Sequence, residues 1–350
     1  MDTIRIGLIG AGGNTRSRHI PGFKAQEGVE LVTVANRTVG SAQRVADEFG
    51  IPDVAVDWRE VLEDDTVDAV CIGTWPNMHA PLTIAALQHG KHVLCEARMA
   101  LNSGEGHEML ATARQCPGQI AQIVPAPHTL AFDQTIVERI VSGGIGELIA
   151  IDARVTVGSN FPDPSSPMHW RNDRDLSGNN IMSMGIWYEA MMRWVGPAAS
   201  VFAIGQSVIN HRIDANGRRA AMTVPDHIDV VGAMAQGGQM RFNVSTVVGC
   251  APALADIHIF GTEGTLRLHQ SQSEPMALHY GARGDSGMTS VKVDPAKQGA
   301  WRVEEEFINA IRGVEEVTHT DFQTAVKYME WTDAVAHSAQ TGERVSLPLS

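Results

Sequence analysis

Four short apolar runs, at residues 4–9, 30–35, 69–73 and 92–95, punctuate the first 125 positions, and segments of helical spacing separate them. Residues 19–27 read as the end of a first helix, with 41–49 and 80–89 as two more. Strands apolar on both faces and joined by helices belong in a parallel sheet covered on each side. The pattern changes at Pro125-Ala126-Pro127. Beyond a helix at 133–142 and the turn SGGIGE come longer runs with period-two alternation, at 148–157, 201–208, 228–235, 239–247 and 255–260. Such alternation marks strands with one face buried, as in an antiparallel sheet. Residues 261–268 read as a turn into a last hairpin strand, and 301–339 return to helical spacing. The expected architecture is α/β followed by α+β. A parallel domain spans residues 1–125, and a domain built on a mostly antiparallel open sheet spans 126–350.

The first strand runs straight into GLIGAGGNTRSRHIP. Gly10 permits a tight turn, and Gly12 lets the backbone approach a pyrophosphate. Amides at the following helix N-terminus would face the anion. The stretch reads as the loop of a Rossmann dinucleotide-binding domain with one departure: Thr15 holds the third glycine position. Gly10, Gly12, Gly13, Asn14 and Thr15 are the expected cofactor residues of the loop. The second strand ends in Asn36-Arg37-Thr38, without the carboxylate that holds the ribose hydroxyls of NAD. No acid there repels a 2′-phosphate, and Arg37 can pair with one or stack on adenine. NADP is the expected cofactor, with NAD possible.

Composition narrows the other classes. With 43% hydrophobic and 19% charged residues, 350 positions suffice for two buried cores. A formal net charge of −13, with no basic stripe, argues against nucleic acid or an anionic membrane as partner. The N-terminus lacks a signal-peptide pattern, and no apolar run reaches the roughly twenty residues of a membrane span. A cytoplasmic protein with a small-molecule substrate is expected. Cys71, Cys95, Cys116 and Cys250 form no CxxC pair, and the first two fall in expected buried strands. No metal site is expected: His89-x-x-His92 straddles a turn, and His107-Glu108 lacks the second histidine of HExxH.

Several segments together resemble the Gfo/Idh/MocA family of NAD(P)-dependent oxidoreductases. They are IGAGG…HIPGF, ANRTVGSAQRVADEFGI, TWPNMHAP, GKHVLCEARMALN, IVSGGIGEL, HWRNDRDLSG and FGTEGTLRL. The resemblance implies a Rossmann domain joined to an α/β domain whose sheet mediates homo-oligomers. It also implies redox chemistry at hydroxyls of sugars and related small molecules. The family's TPNxxH turn, near the nicotinamide ribose, maps onto Thr74, Asn77 and His79, with Trp75 where proline is usual. Trp75 is therefore expected beside the nicotinamide ring. The family's Glu-Lys-Pro maps onto Glu96-Ala97-Arg98, so the glutamate is kept and the lysine lost. The family's Asp-x-Gly-x-His maps onto Ser183, Gly185 and Trp187, so the aspartate and histidine are lost too.

Hydride transfer at an alcohol carbon needs a group to move the hydroxyl proton, a contribution of roughly 10²–10⁴-fold in rate. Three nearby residues are candidates for the catalytic set. Arg98 can hold an oxyanion, Tyr188 can act as acid or base beside a cation, and His169 in PMHWRNDRD can transfer protons near neutrality. His128, Trp170, Arg171 and Trp187 are candidate substrate contacts. Trp75, Trp170, Trp187 and Tyr188 would form an aromatic wall, suited to a sugar-like or aryl-glycoside-like substrate. Two other readings stay open at this point. One is a cofactor-assisted lyase or glycosidase without net redox, and the other is a catalytically inactive nucleotide- or metabolite-binding protein.

Overall fold

The computed structural model describes residues 3–349. The chain divides into two compact units, the first formed by Met1–Pro125 with Arg302–Met329 and the second by Ala126–Trp301 with Glu330–Ser350. The reading along the chain placed all of 126–350 in one domain. The segment Arg302–Met329 instead belongs with the first unit, where helix Val303–Ile311 packs Phe307 edge-on against Phe23, ring centroids 6.3 Å apart. Gln122 Nε2 donates to Glu306 Oε2 at 2.9 Å, tying the same helix to the sixth strand.

The first unit holds six parallel strands: β1 (Ile4–Ile9), β2 (Val29–Ala35), β3 (Asp53–Ala55), β4 (Ala69–Ile72), β5 (His92–Cys95) and β6 (Ala121–Ile123). Their order across the sheet is β3-β2-β1-β4-β5-β6. All four residues of β4 are buried, as are Val93, Leu94 and Cys95 of β5, which is why these runs carry no polar alternation. The strand order reverses between β1 and β4. In open sheets of this topology, ligands bind beyond the carboxyl ends of the strands at that reversal. The first helix is irregular, a π-turn at Thr15–His19 running into Ile20–Lys24, where the sequence predicted regular helix through residue 27.

The second unit is built on a nine-stranded sheet. Its strands are β7 (Leu148–Thr156), β8 (Ala198–Gln206), β11 (His227–Met234), β12 (Gln239–Ser245), β13 (Ala255–Gly261), β14 (Gly264–Gln270), β15 (Ala277–Ala282), β16 (Thr289–Ser290) and β17 (Val345–Ser346). A separate hairpin joins β9 (His211–Ile213) to β10 (Arg219–Ala221). The sheet order is β16-β15-β14-β13-β7-β12-β11-β8-β17, antiparallel except where β7 runs parallel to β12. Alternation is visible in β13, where Ala255, Ile257 and Ile259 are buried while Asp256, His258 and Phe260 lie on the other face. The strand at 264–270 is not the last, since β15 and β16 continue the antiparallel run. The tail also returns as β17, pairing Val345 with Val201 and Ser346 with Ser200. Among the described residues no helix is long and apolar enough to cross a membrane.

Candidate active site

In the first unit the glycine turn is closed by contacts that leave no room for a side chain at Gly10 or at Gly73. Gly10 adopts φ +85°, which glycine tolerates and other residues rarely do. A Cβ at Gly73, at the end of β4, would overlap the Thr15 hydroxyl and the Gly10 carbonyl. The Thr15 hydroxyl donates to that carbonyl at 3.2 Å. Thr15 is buried, so it locks the turn instead of facing a ligand. Gly12 and Gly13 are exposed; a Cβ at Gly12 would meet only the Gly73 carbonyl oxygen, at 3.8 Å, and one at Gly13 would meet nothing within 4 Å. That open backbone suits the close approach of a pyrophosphate.

The end of β2 carries a second part of the site. The Ala11 N–H donates to Asn36 Oδ1 at 2.6 Å, so Asn36 braces the glycine turn from the position where NAD-binding loops place a carboxylate. Arg37 is exposed, its guanidinium 5.3 Å from the centre of the Trp75 ring. Trp75 therefore stands beside the β2 end. Thr38 corrects in another way: its hydroxyl accepts the Ser41 N–H at 3.3 Å as the N-cap of helix Val39–Phe49.

At the β4 end, Thr74 Oγ1 and Asn77 Oδ1 are buried without a hydrogen-bond partner. A buried polar atom left unpaired costs about 1–3 kcal/mol, and a bound ligand is one way to recover it. These two atoms and the bare glycine backbone fit a dinucleotide. His79, expected at the cofactor, is fully buried. Its Nδ1 lies 2.8 Å from the Arg98 carbonyl and its Nε2 3.1 Å from that of Thr74. It braces two loops, and burial holds its proton affinity down.

Glu96 ends β5 as the sequence places it. Its Oε1 accepts from the Asn14 amide, and it lies 3.0 Å from His19 Nε2. His19 Nδ1 in turn lies 2.5 Å from Glu304 Oε1. The sequence pointed to neither His19 nor Glu304 as a site residue; they stand 285 positions apart, and no local pattern joins them. Arg98 is 2% exposed, so its guanidinium lies inside the protein.

In the second unit the expected residues separate into three places. Tyr188 is 1% exposed, stacks on Trp331 at 4.0 Å, and its hydroxyl accepts the Ala198 N–H at 2.8 Å. Burial raises its pKa well above the usual phenol range. It is a core residue, and the acid–base role and the wall expected of it do not hold. His128 and Trp187 come together, rings stacked 4.7 Å apart. Burial, and then the nearby Arg193 charge, lower the His128 pKa.

His169 forms a third group with Trp170 and Arg171. Its Nδ1 accepts the Arg171 N–H at 3.2 Å as the cap of a short 3₁₀ helix, and the Arg171 guanidinium lies 4.2 Å from the Trp170 ring centre. With Nδ1 accepting, a neutral ring carries its proton on Nε2. Partial burial, then the Arg171 charge, lower its pKa. Ser183, at the family's aspartate position, has a buried hydroxyl oxygen without a partner. Among the described residues no group of three or more His, Cys, Asp or Glu is placed to hold a metal ion.

Strand order and glycine turn define the first unit as a nucleotide-binding Rossmann domain, here with an open-sheet unit attached. The chain belongs to the Gfo/Idh/MocA family. Residues 4–121 match its oxidoreductase model with the NAD-binding Rossmann fold, and residues 134–267 match a GFO/IDH/MocA C-terminal domain. An uncharacterized oxidoreductase of Rhizobium meliloti, ORF334, is 32% identical over 206 residues, a match covering 58% of this chain and 60% of that protein. D-xylose 1-dehydrogenase (NADP(+)) 2 of Haloferax volcanii is 27% identical over 351 residues, covering 98% of this chain and 99% of that one. In fold, the chain is similar to the apo form of levoglucosan dehydrogenase, with a TM-score of 0.87 at 21% identity over 100% of each chain.

Proposed function

We propose that the protein is an NADP-preferring oxidoreductase that interconverts a hydroxyl and a carbonyl on a small, sugar-like substrate. The first unit would bind the dinucleotide; the second would supply substrate contacts and an oligomer interface on its open sheet face. The observation that carries the cofactor reading is the end of β2. Asn36 is turned inward to the glycine loop, no carboxylate stands there, and Arg37 is held over Trp75 within cation–π range. A guanidinium backed by an aromatic plane is ordered before the ligand arrives, which favours pairing with a 2′-phosphate. The Haloferax relative, named for NADP(+), is in keeping with this.

When bound, the nicotinamide supplies or accepts the hydride. The protein's own residues have to orient the hydroxyl and move its proton. In the second unit, His169 with a free-facing Nε2 proton position and the His128–Trp187 stack are the proposed substrate-side groups. The stack would cover an apolar face of a sugar or aryl glycoside.

Calorimetric titration with 2′,5′-ADP and 5′-AMP, alongside NADPH and NADH, tests the reading. The 2′-phosphorylated ligands should bind at least tenfold tighter, and Arg37→Ala should abolish that difference. Equal affinities would remove the NADP preference. No binding of any of the four would remove the oxidoreductase reading and leave a scaffold that binds something else.

A further inference from the structure

The family lysine after Glu96 is absent, yet the strand end that should carry it holds a chain of three ionisable groups. Both ring nitrogens of His19 face carboxylate oxygens, Nε2 that of Glu96 at 3.0 Å and Nδ1 that of Glu304 at 2.5 Å. With both carboxyls ionised, two such contacts can both be hydrogen bonds only if both nitrogens carry protons. The resting state is then an imidazolium between two carboxylates. Burial alone would lower the His19 pKa, but hydrogen bonds and charge from Glu304 and Glu96 raise it to about 9. The Glu96 carboxyl, despite burial, is held below its usual range by His19, Asn14 and His79.

Charge counting gives the cluster a direction. At rest it carries one surplus negative charge. Losing a proton would leave two carboxylates on a neutral ring in a buried site, which low-dielectric surroundings penalise strongly. Gaining one leaves the cluster neutral. The uptake point is set by access: the side chains of His19 and Glu304 are 0% and 3% exposed, that of Glu96 14%. Both carboxylates also act on the buried Cys71 thiol, whose pKa burial pushes up first and their charges push further. It is thus already protonated and not a competitor.

Resting on the oxidoreductase reading, we propose that Glu96 takes over the proton-accepting task of the missing lysine, and that His19 and Glu304 are its positioning residues. In the step itself the O–H bond of a substrate hydroxyl breaks. The proton bonds to a carboxylate oxygen of Glu96, and the electron pair stays on the substrate oxygen. His19 keeps both protons throughout, so no charge is stranded in the interior.

Infrared difference titration of the carboxyl groups, with wild type minus Glu96→Gln isolating Glu96, tests this without any substrate. His19→Gln removes the cation and should raise the Glu96 protonation midpoint by a pH unit or more. Glu304→Gln leaves the imidazolium to Glu96 alone and should lower that midpoint. Opposite shifts are the signature, which residues serving only as packing would not produce. Unchanged midpoints, or loss of the exchangeable signal in Glu304→Gln instead of Glu96→Gln, would overturn the proposal. The near-isosteric Glu304→Gln decides the matter if His19→Gln does not fold. NADPH titration of the wild type in parallel separates the two ideas: failure to bind NADPH counts against the oxidoreductase reading, while the midpoints judge the role given to Glu96.

Discussion

A methyl group added at Gly73 would be driven into the Thr15 hydroxyl and the Gly10 carbonyl, neither of which has slack. Gly73→Ala should therefore cost about 1–3 kcal/mol in urea unfolding and weaken NADPH binding with it, because the turn that would hold the pyrophosphate has to open. His19 makes stability depend on pH. Its pKa is raised from 6.5 to about 9, so its contribution is complete below pH 6.5 and is lost as the pH climbs through 9. Glu96 works from the other side, contributing above its ordinary range and losing that as the solution is acidified. Urea titrations from pH 6 to 10 should show a fall of order 3 kcal/mol that His19→Gln flattens. For turnover, His169→Asn should reduce kcat by tenfold or more, measured with whichever sugar a substrate screen returns. An unchanged rate would return His169 to its observed task of capping a 3₁₀ turn. Glu96 was legible from its place after an apolar strand. The partners that set its chemistry were not, because contact over such a separation is a tertiary fact.

Helix Met184–Val195 shows what a sequence pattern leaves undecided. Nearly every position on it is buried, so apolar spacing could not say which aromatic faces a ligand and which faces the core. Trp187 and Tyr188 are neighbours, yet one stacks on His128 and the other on Trp331. What positions the helix is a polar network that no motif announced. Arg193 pairs with Asp133 at 3.0 Å and Glu189 at 2.9 Å and donates to the Ala126 carbonyl at 3.0 Å. Glu189 Oε2 accepts the Ala126 N–H at 2.5 Å, and Trp194 Nε1 donates to Asp133 at 2.7 Å. The network fixes the residues leading to His128. Arg193→Met strands two largely buried carboxylates and should cost about 3–5 kcal/mol, read as a shifted urea midpoint. Restoring stability by adding Glu189→Gln and Asp133→Asn would identify unpaired charge as the cause.

Over the whole chain, four of the six strands of the parallel sheet could be read, because strands buried on both faces leave unbroken apolar runs and a glycine turn fixes where the first one ends; β3 and β6, three residues each, were too short to show a pattern. The course of residues 302–329 could not, since helical spacing says that a segment packs but not on which unit. The second unit's sheet was legible as alternation, and its outer face keeps exposed apolar side chains, Ile204 at 67% and Val231 at 49%. If that face joins copies of the chain, Ile204→Asp should lower the mass found by sedimentation, with no loss of unfolding free energy in the separated protomer. One edge of the same sheet is closed by very little. β17 contributes two residues, helped by Arg344 reaching Ser200 Oγ at 2.8 Å and the Leu347 N–H donating to Ala199 at 2.9 Å. Clipping the tail by protease would bare the backbone of β8 while leaving every catalytic candidate in place. The nicked molecules would recruit one another strand to strand, and activity would disappear into precipitate before it disappeared from the active site.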